Sequence, residues 1–196
     1  MSKEIEIEFK NMLTKDEFDK INNALSLTSD DFFQQENHYF DTDDFYLKEN
    51  KSALRIRVKN GKYVLTLKEP AEVGLLETHQ LLNAVQVDQV IHDLNFPRGE
   101  VTNRLHEMGT DIERLQLVGS LKTNRAELPF RGGLLVMDHS SYLNKEDFEL
   151  EYEVSDFQNG EEIFLEFLSD LKIPRRNTEN KIQRFYKEKM RLSNNL

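Results

Sequence analysis

Cysteine is absent from this 196-residue sequence, and so is any long uninterrupted apolar run. Without cysteine the chain has no disulfide and no thiol chemistry. No stretch approaches the roughly 20 apolar residues that span a bilayer, and the N-terminus shows no basic-then-apolar leader. These absences predict a cytoplasmic protein that does not enter a membrane.

Internal repeats, low-complexity segments and linkers long enough to divide domains are also lacking, so we expect residues 1–196 to form one domain. Hydrophobic residues make up 38% of the chain and charged residues 32%, a balance typical of a folded protein with a sizeable core. The net charge of −10 argues against a general nucleic-acid coat and favours divalent cations as partners.

Alternation of apolar and charged residues is the dominant pattern, and it begins with EIEIEFK at residues 4–10. Such alternation predicts β-strands with one apolar and one charged face. The dipeptide Asn60-Gly61 joins two of the alternating runs and predicts a tight hairpin. Strands are expected at 4–10, 36–42, on both sides of the turn within 51–70, and at 74–82, 113–130, 132–143 and 147–154.

Helical spacing separates these strands. Thr14 and Glu17 are spaced as a capping box for a helix over 14–25, and Pro97 suits the first turn of a helix over 97–109. Further helices are expected at 83–94, 159–171 and 179–192. About eight strands with short connections and four or five helices predict an α+β protein, and eight antiparallel strands can close into a barrel.

The helices indicate where the charged faces point. The apolar stripes of the last two helices, which include Phe164, Phe167 and Phe185, need the apolar faces of the sheet as partners. If the sheet closes with helices packed outside, its charged faces point inward. An open sheet with its charges in solvent fits the same periodicity, so this alternative stays open.

Acids cluster in the first and last strands, and bases cluster in the Asn60-Gly61 hairpin. Clustered carboxylates suit Mg²⁺ or Mn²⁺, which prefer oxygen ligands. Clustered arginine and lysine suit phosphate oxygens. Together they describe a site for a polyphosphate that binds with its metal.

An ordered series of short motifs resembles the CYTH superfamily, also called triphosphate tunnel metalloenzymes, in its short single-domain branch of Gram-positive type. The series covers nearly the whole chain: E-x-E-x-K at Glu6, Glu8 and Lys10, then YFDT at 39–42, LRIR at 54–57, LTLK at 65–68, ETH from Glu77, KTNRAEL at 122–128, LVMDHSSYL at 135–143, ELEYEV at 149–154 and NKIQRF at 180–185. The resemblance implies an eight-stranded antiparallel barrel with a charged tunnel and metal-dependent chemistry on triphosphates.

The resemblance also implies roles for individual residues. The metal (Mg²⁺ or Mn²⁺) would be held by four carboxylates: Glu6, Glu8, Glu151 and Glu153. The triphosphate would be gripped by six basic residues: Lys10, Arg55, Arg57, Lys68, Arg125 and Lys181. Glu77 and Asp138 match acidic tunnel positions. Together with five of the basic residues they form the expected catalytic set: Lys10, Arg55, Arg57, Lys68 and Arg125.

Other residues with suggestive positions have plainer interpretations. Glu4 and Glu149 lie one step outside each carboxylate pair and are expected either at the tunnel rim or in solvent. Lys59 and Lys122 are expected on the surface, and Tyr39 in packing. The histidines His38, His79 and His139 lack metal-ligand spacing and are expected to be structural or exposed.

The resulting functional prediction is a divalent-metal-dependent hydrolase of the terminal phosphoryl group of a triphosphate. Inorganic tripolyphosphate is the favoured substrate, with thiamine or nucleoside triphosphates possible. The alternatives are a class IV-type adenylyl cyclase and a non-catalytic polyphosphate- or nucleotide-binding module. The sequence does not indicate an oligomeric state.

Overall fold

The computed structural model describes residues 2–193 and contains eight strands and six α-helices within that range. The strands are β1 (Ser2–Leu13), β2 (Phe33–Thr42), β3 (Ala53–Lys59), β4 (Lys62–Pro70), β5 (Leu75–Leu82), β6 (Leu115–Phe130), β7 (Gly133–Tyr142) and β8 (Lys145–Val154). The helices are α1 (Lys15–Ala24), α2 (Tyr46–Glu49), α3 (Ala84–Asp93), α4 (Glu100–Glu107), α5 (Phe157–Asp170) and α6 (Lys181–Ser193).

The strands form one closed antiparallel barrel in the order β1-β5-β4-β3-β2-β6-β7-β8. Strand β1 joins two ladders: its first part pairs with β5, and its part from Ile7 onward pairs with β8. The hairpin between β3 and β4 turns at Asn60 and Gly61, which both have positive φ, as a two-residue hairpin turn requires. The predicted α+β barrel is confirmed.

Within the barrel the described chain comprises two compact units. The first runs up to Glu6 and continues over Gln35–Leu121, and the second comprises Ile7–Gln34 and the chain from Lys122 onward. Each unit has its own apolar cluster between its strands and its helices. That the chain is a single domain stays a prediction.

In the first unit, Leu54 and Ile56 of β3 are fully buried against a cluster that includes Val90 of α3 and Leu105 of α4. In the second unit, Leu150 and Tyr152 of β8 are fully buried with residues of α1 and α5, among them Phe18, Ile21, Phe164 and Phe167. Each fully buried large apolar side chain contributes about 1.5–3 kcal/mol. The helices therefore cover the apolar faces of these strands.

Because side chains alternate along a strand, the charged faces of β3 and β8 lie opposite the faces that the helices cover. In a closed barrel that direction is inward. The prediction of a closed sheet with apolar faces beneath helices is confirmed, and the open-sheet alternative is wrong.

The helices differ from the prediction in three main respects. Pro97 was expected in the first helical turn, but α4 begins at Glu100 after the N-cap Gly99. The four-residue helix α2 was not predicted, since it is too short to show a periodic pattern; the carboxylate of Asp41 accepts hydrogen bonds from the backbone N–H groups of Leu47 and Lys48 there.

The third difference concerns α6, whose apolar stripe was expected on an apolar sheet face. The Phe185 ring is buried 5.7 Å from the Tyr142 ring, and Tyr142 shares its strand face with Asp138. Helix α6 thus packs on the charged face, because its basic residues Lys181 and Arg184 contact buried acids there.

None of the helices in residues 2–193 combines the length and the apolar character that a membrane-spanning helix needs.

Candidate metal and phosphate site

In the first unit, the Lys68 ammonium lies between two carboxylates on the charged face. Its Nζ donates a hydrogen bond to Glu6 Oε2 at 2.5 Å and forms an ion pair with Glu77, its register partner on β5. Burial alone raises the pKa of Glu77, but the charges of Lys68 and Arg55 outweigh burial and lower this pKa to about 2. Glu77 is therefore ionised at neutral pH and holds Lys68 in place.

Strand β3 carries two arginines on the same face. Arg55 lies opposite Tyr39 of β2, and Arg57 Nε donates to Asn37 Oδ1 at 3.1 Å. Tyr39 is buried as expected, but it lies on the charged face and belongs to neither apolar cluster. The Asn37 contact fixes the Arg57 guanidinium, so this face presents an ordered cation.

In the second unit, Arg125 is held by a two-pronged contact. Its Nε and Nη2 donate to the two oxygens of Asp138 at 2.7 and 2.6 Å, and Nη2 also donates to Glu151 Oε2 at 2.8 Å. Arg125 and Asp138 are register partners on β6 and β7. Bidentate contacts of this kind are among the strongest side-chain hydrogen bonds and fix the plane of the guanidinium.

Helix α6 adds two cations to the same acids. Lys181 Nζ lies 2.5 Å from Glu151 Oε1, 2.7 Å from Glu149 Oε2 and 2.8 Å from Asp138 Oδ2. Arg184 Nη2 donates to Glu149 Oε2 at 2.8 Å, and its Nε donates to Asp147 Oδ2 at 2.9 Å. We call Arg125, Asp138, Glu149, Glu151 and Lys181 the Lys181 cluster.

All members of this cluster are more than nine-tenths buried except Lys181, whose side chain is 11% exposed. Burial opposes charge on Glu151, but Lys181 and Arg125 outweigh it and hold the pKa of Glu151 well below its ordinary value. The same attraction raises the pKa of Lys181 well above its ordinary value, against the effect of burial. Glu151 and Lys181 are therefore both charged at neutral pH and form a buried ion pair.

Oxygen donors for a metal lie on β1 and β8. Glu8 and Glu153 are register partners, and each offers a carboxylate oxygen within 4.8 Å of the other. Lys10 Nζ pairs with Glu8 Oε1 at 2.6 Å, and Glu6 precedes Glu8 by two residues on the charged face of β1. A donor set of carboxylate oxygens alone fits a hard cation such as Mg²⁺ or Mn²⁺.

The structure decides several open expectations. Glu149 is buried within the Lys181 cluster, so its solvated alternative is wrong. The Glu4 side chain is 63% exposed but contacts His79, which is only 18% exposed and lies beside Glu77. Lys122 is exposed as predicted, whereas Lys59 is half-buried and has interactions with other residues.

The other two histidines have structural contacts. His38 Nδ1 lies 2.7 Å from Ser120 Oγ, and the His139 ring stacks on Phe148 with ring centroids 4.5 Å apart. The expectation that these two are structural or exposed is consistent with both contacts.

Sequence reasoning missed that Arg184 contacts Glu149 and that His79 contacts both Glu4 and Thr66. Arg184 follows Lys181 by three residues, the spacing that places two side chains on one helix face. Thr66 and Lys68 share a strand face, as do Glu77 and His79. Helical spacing for Arg184 and strand alternation for Thr66 and His79 therefore contained a signal for each of them, but neither pattern showed which residues they contact.

Comparison with known proteins agrees with this fold. The family model described as the CYTH domain matches residues 4–186. The chain therefore belongs to the CYTH domain family.

Among its relatives, YjbK of Bacillus subtilis, provisionally named a triphosphatase, is 57% identical over 96% of this chain and 98% of its own length. A Bacillus halodurans protein, provisionally named an adenylate cyclase, has a solved structure with a TM-score of 0.92 and 44% identity, over 95% of this chain and all of that one. HpAC1 of Hippeastrum, described as having a dominant triphosphatase activity, shares the fold at a TM-score of 0.78 and 24% identity, over 93% of this chain and 96% of that chain.

Proposed function

We propose that this protein is a divalent-metal-dependent hydrolase that removes the terminal phosphoryl group of a triphosphate, with inorganic tripolyphosphate as the preferred substrate. The observation that carries the proposal is the pair of ordered charge clusters on the inward faces, one around Lys68 and one around Lys181. The name of the Bacillus subtilis relative, at 57% identity, supports the same reaction class.

Carboxylates and bases take separate parts in this proposal. Glu6, Glu8, Glu151 and Glu153 would hold Mg²⁺ or Mn²⁺, because they supply only oxygen donors. Such an ion, when bound, neutralises phosphate charge and lowers the pKa of a water ligand. The basic residues bind the phosphate oxygens: Lys10, Arg55, Arg57, Lys68, Arg125 and Lys181.

The acidic partners orient these bases before the substrate arrives. Glu77 holds Lys68, and Asp138 holds Arg125 through two hydrogen bonds. Bases fixed in advance stabilise charge that develops on the phosphoryl oxygens without paying for reorganisation during the reaction. Since the transfer involves little covalent chemistry by the protein, positioning and electrostatics of this kind suffice.

A class IV-type adenylyl cyclase is the second candidate, favoured by the name of the Bacillus halodurans relative at 44% identity. A cyclase uses the 3′-hydroxyl of its own substrate as nucleophile and therefore needs a nucleoside pocket. A non-catalytic binding module is the third candidate, but phosphate binding alone needs the basic residues more than it needs four carboxylates.

A cytoplasmic location remains a prediction.

A screen of phosphate release separates the candidates. Purified protein is incubated with tripolyphosphate, thiamine triphosphate and ATP, each with Mg²⁺ and with Mn²⁺, and orthophosphate, pyrophosphate and cyclic AMP are measured. We expect orthophosphate from tripolyphosphate at the highest rate. Formation of cyclic AMP and pyrophosphate from ATP would establish the cyclase. Absence of product with every substrate would indicate the non-catalytic binding module.

A further inference from the structure

A histidine and two glutamates from adjacent strands meet on the charged face of the first unit. Glu4 of β1 and Glu77 of β5 are register partners, and His79 lies two residues beyond Glu77. His79 Nε2 is 3.0 Å from Glu4 Oε1 and 3.3 Å from Glu77 Oε2. One ligand atom from each residue lies within 4.8 Å of those of the other two, which is a spacing that one metal ion can bridge.

The His79 ring is fixed from its other side. Its Nδ1 lies 3.0 Å from the hydroxyl oxygen of Thr66, on the neighbouring strand β4. Metal-binding histidines commonly use one ring nitrogen for a partner of this kind, which sets the ring orientation and leaves the second nitrogen for the metal. Here the second nitrogen is the one that faces both carboxylates.

The carboxylates of Glu4 and Glu77 repel each other, and a positive charge between them would offset this repulsion. Like charges that lie directly opposite on neighbouring strands destabilise a sheet. Lys68 pairs with Glu6 and with Oε1 of Glu77, whereas His79 Nε2 lies beside the other oxygen of Glu77, Oε2. A dication held by Nε2 and both carboxylates would offset the repulsion between Glu4 and Glu77.

We propose that Glu4, Glu77 and His79 form a second metal site, separate from the all-carboxylate set and selective for first-row transition ions such as Zn²⁺ and Co²⁺ over Mg²⁺. The selectivity follows from the donor set, because imidazole suits transition ions whereas Mg²⁺ strongly prefers oxygen. The inference concerns metal binding and does not depend on whether the protein hydrolyses a triphosphate.

Cobalt titration tests the proposal directly. Co²⁺ is added to the full-length protein in a large excess of Mg²⁺, which occupies the oxygen-only positions, and binding is followed by the visible absorption of nitrogen-ligated Co²⁺. We expect saturable binding to the wild type. His79→Gln, which removes the imidazole, should weaken Co²⁺ binding by at least about tenfold.

Two further variants are measured: one removes a second ligand of the site and the other is a control. Glu4→Gln removes one ligand at a side chain that is 63% exposed, so it should fold normally and also weaken Co²⁺ binding. His139→Gln is the matched control, because His139 Nε2 lies 2.8 Å from a single carboxylate, that of Glu146. It should bind Co²⁺ as the wild type does.

Equal Co²⁺ affinity in wild type, His79→Gln and Glu4→Gln would overturn the proposal, and so would an equal loss in His139→Gln. Orthophosphate release from tripolyphosphate with Mg²⁺ alone is measured on the same samples. Co²⁺ binding that depends on His79 in a protein without turnover would support this inference and refute the proposed hydrolysis.

Discussion

At the scale of single residues, buried charge is compensated almost entirely by direct partners. Asp138 is fully buried, yet Arg125 and Lys181 outweigh the effect of burial and lower its pKa. Lys10 is paired with Glu8, and its pKa is raised although burial opposes the charge. Removing one member leaves an unpaired buried charge, which costs far more than the pair contributes.

Acid stability tests this compensation at Glu77. Its pKa of about 2 lies below the ordinary value of about 4.5, so the folded state binds its proton less readily than the unfolded state does. Its contribution to stability is fully present above about pH 4.5 and is lost as the pH falls towards 2. Urea unfolding at several pH values should therefore show a steeper acid loss in the wild type than in Glu77→Gln. Identical pH dependence in both proteins would contradict the assignment.

Strand alternation predicted that Asp138 and Glu151 lie opposite the apolar residues of their strands, whereas Arg125 was predicted only from the family resemblance. It did not predict that His79 contacts Glu4, because such a contact depends on the register between β1 and β5. Register is set by long-range pairing, whereas alternation is a property of one strand. Tyr39 shows the same limit: its burial was predicted, but not its position opposite Arg55.

At the scale of elements, α6 differs from the other long helices in what it packs against. Helices α1, α3, α4 and α5 contribute to apolar clusters, whereas α6 brings Lys181 and Arg184 to buried acids. Its sequence shows an apolar stripe and several basic residues, and the stripe suggested the wrong partner. The buried acids of β7 and β8 decide the packing because they need cations.

Replacing Lys181 tests the role of α6. In Lys181→Met, three buried carboxylates lose a shared cation, and we expect a loss of about 3 kcal/mol in the free energy of unfolding, measured in urea. Mg²⁺ or Mn²⁺ should then stabilise the variant more than the wild type, because the freed carboxylates attract a cation. Lys15→Met is the control, since Lys15 is 60% exposed and pairs with Asp19 on the surface of α1. Similar losses in both variants would contradict the role.

The two faces of the strands should respond differently to substitution. Leu150→Asp places an unpaired charge in the apolar cluster of the second unit and should lower the free energy of unfolding by several kcal/mol, which would be visible as a large fall in melting temperature.

Arg57→Ala on the charged face should not unfold the protein, but it should weaken tripolyphosphate binding by about 1.5–3 kcal/mol, measured by calorimetry. An unchanged affinity in Arg57→Ala would indicate that this face does not bind the triphosphate.

At the scale of the whole molecule, the net charge of −10 conceals local clusters of both signs. The strands were largely predictable because five of them show clear alternation and the Asn60-Gly61 turn fixes one hairpin, whereas closure into a barrel was predicted from the family resemblance. Helix α2 and the start of α4 were not predictable, because short helices and N-caps depend on local hydrogen bonds such as those of Asp41. The motif series predicted the family, and the family comparison confirms it.

The most direct test of the account is the rate of orthophosphate release from tripolyphosphate as a function of metal, measured for the wild type, Glu8→Gln and Glu166→Gln. Glu166→Gln is the control, because Glu166 is 57% exposed on α5. We expect no turnover in excess chelator, recovery on addition of Mg²⁺ or Mn²⁺, and a rate reduced about a hundredfold or more in Glu8→Gln, with the rate of Glu166→Gln unchanged. Turnover that persists in chelator, or a Glu8→Gln variant as active as the wild type, would contradict it.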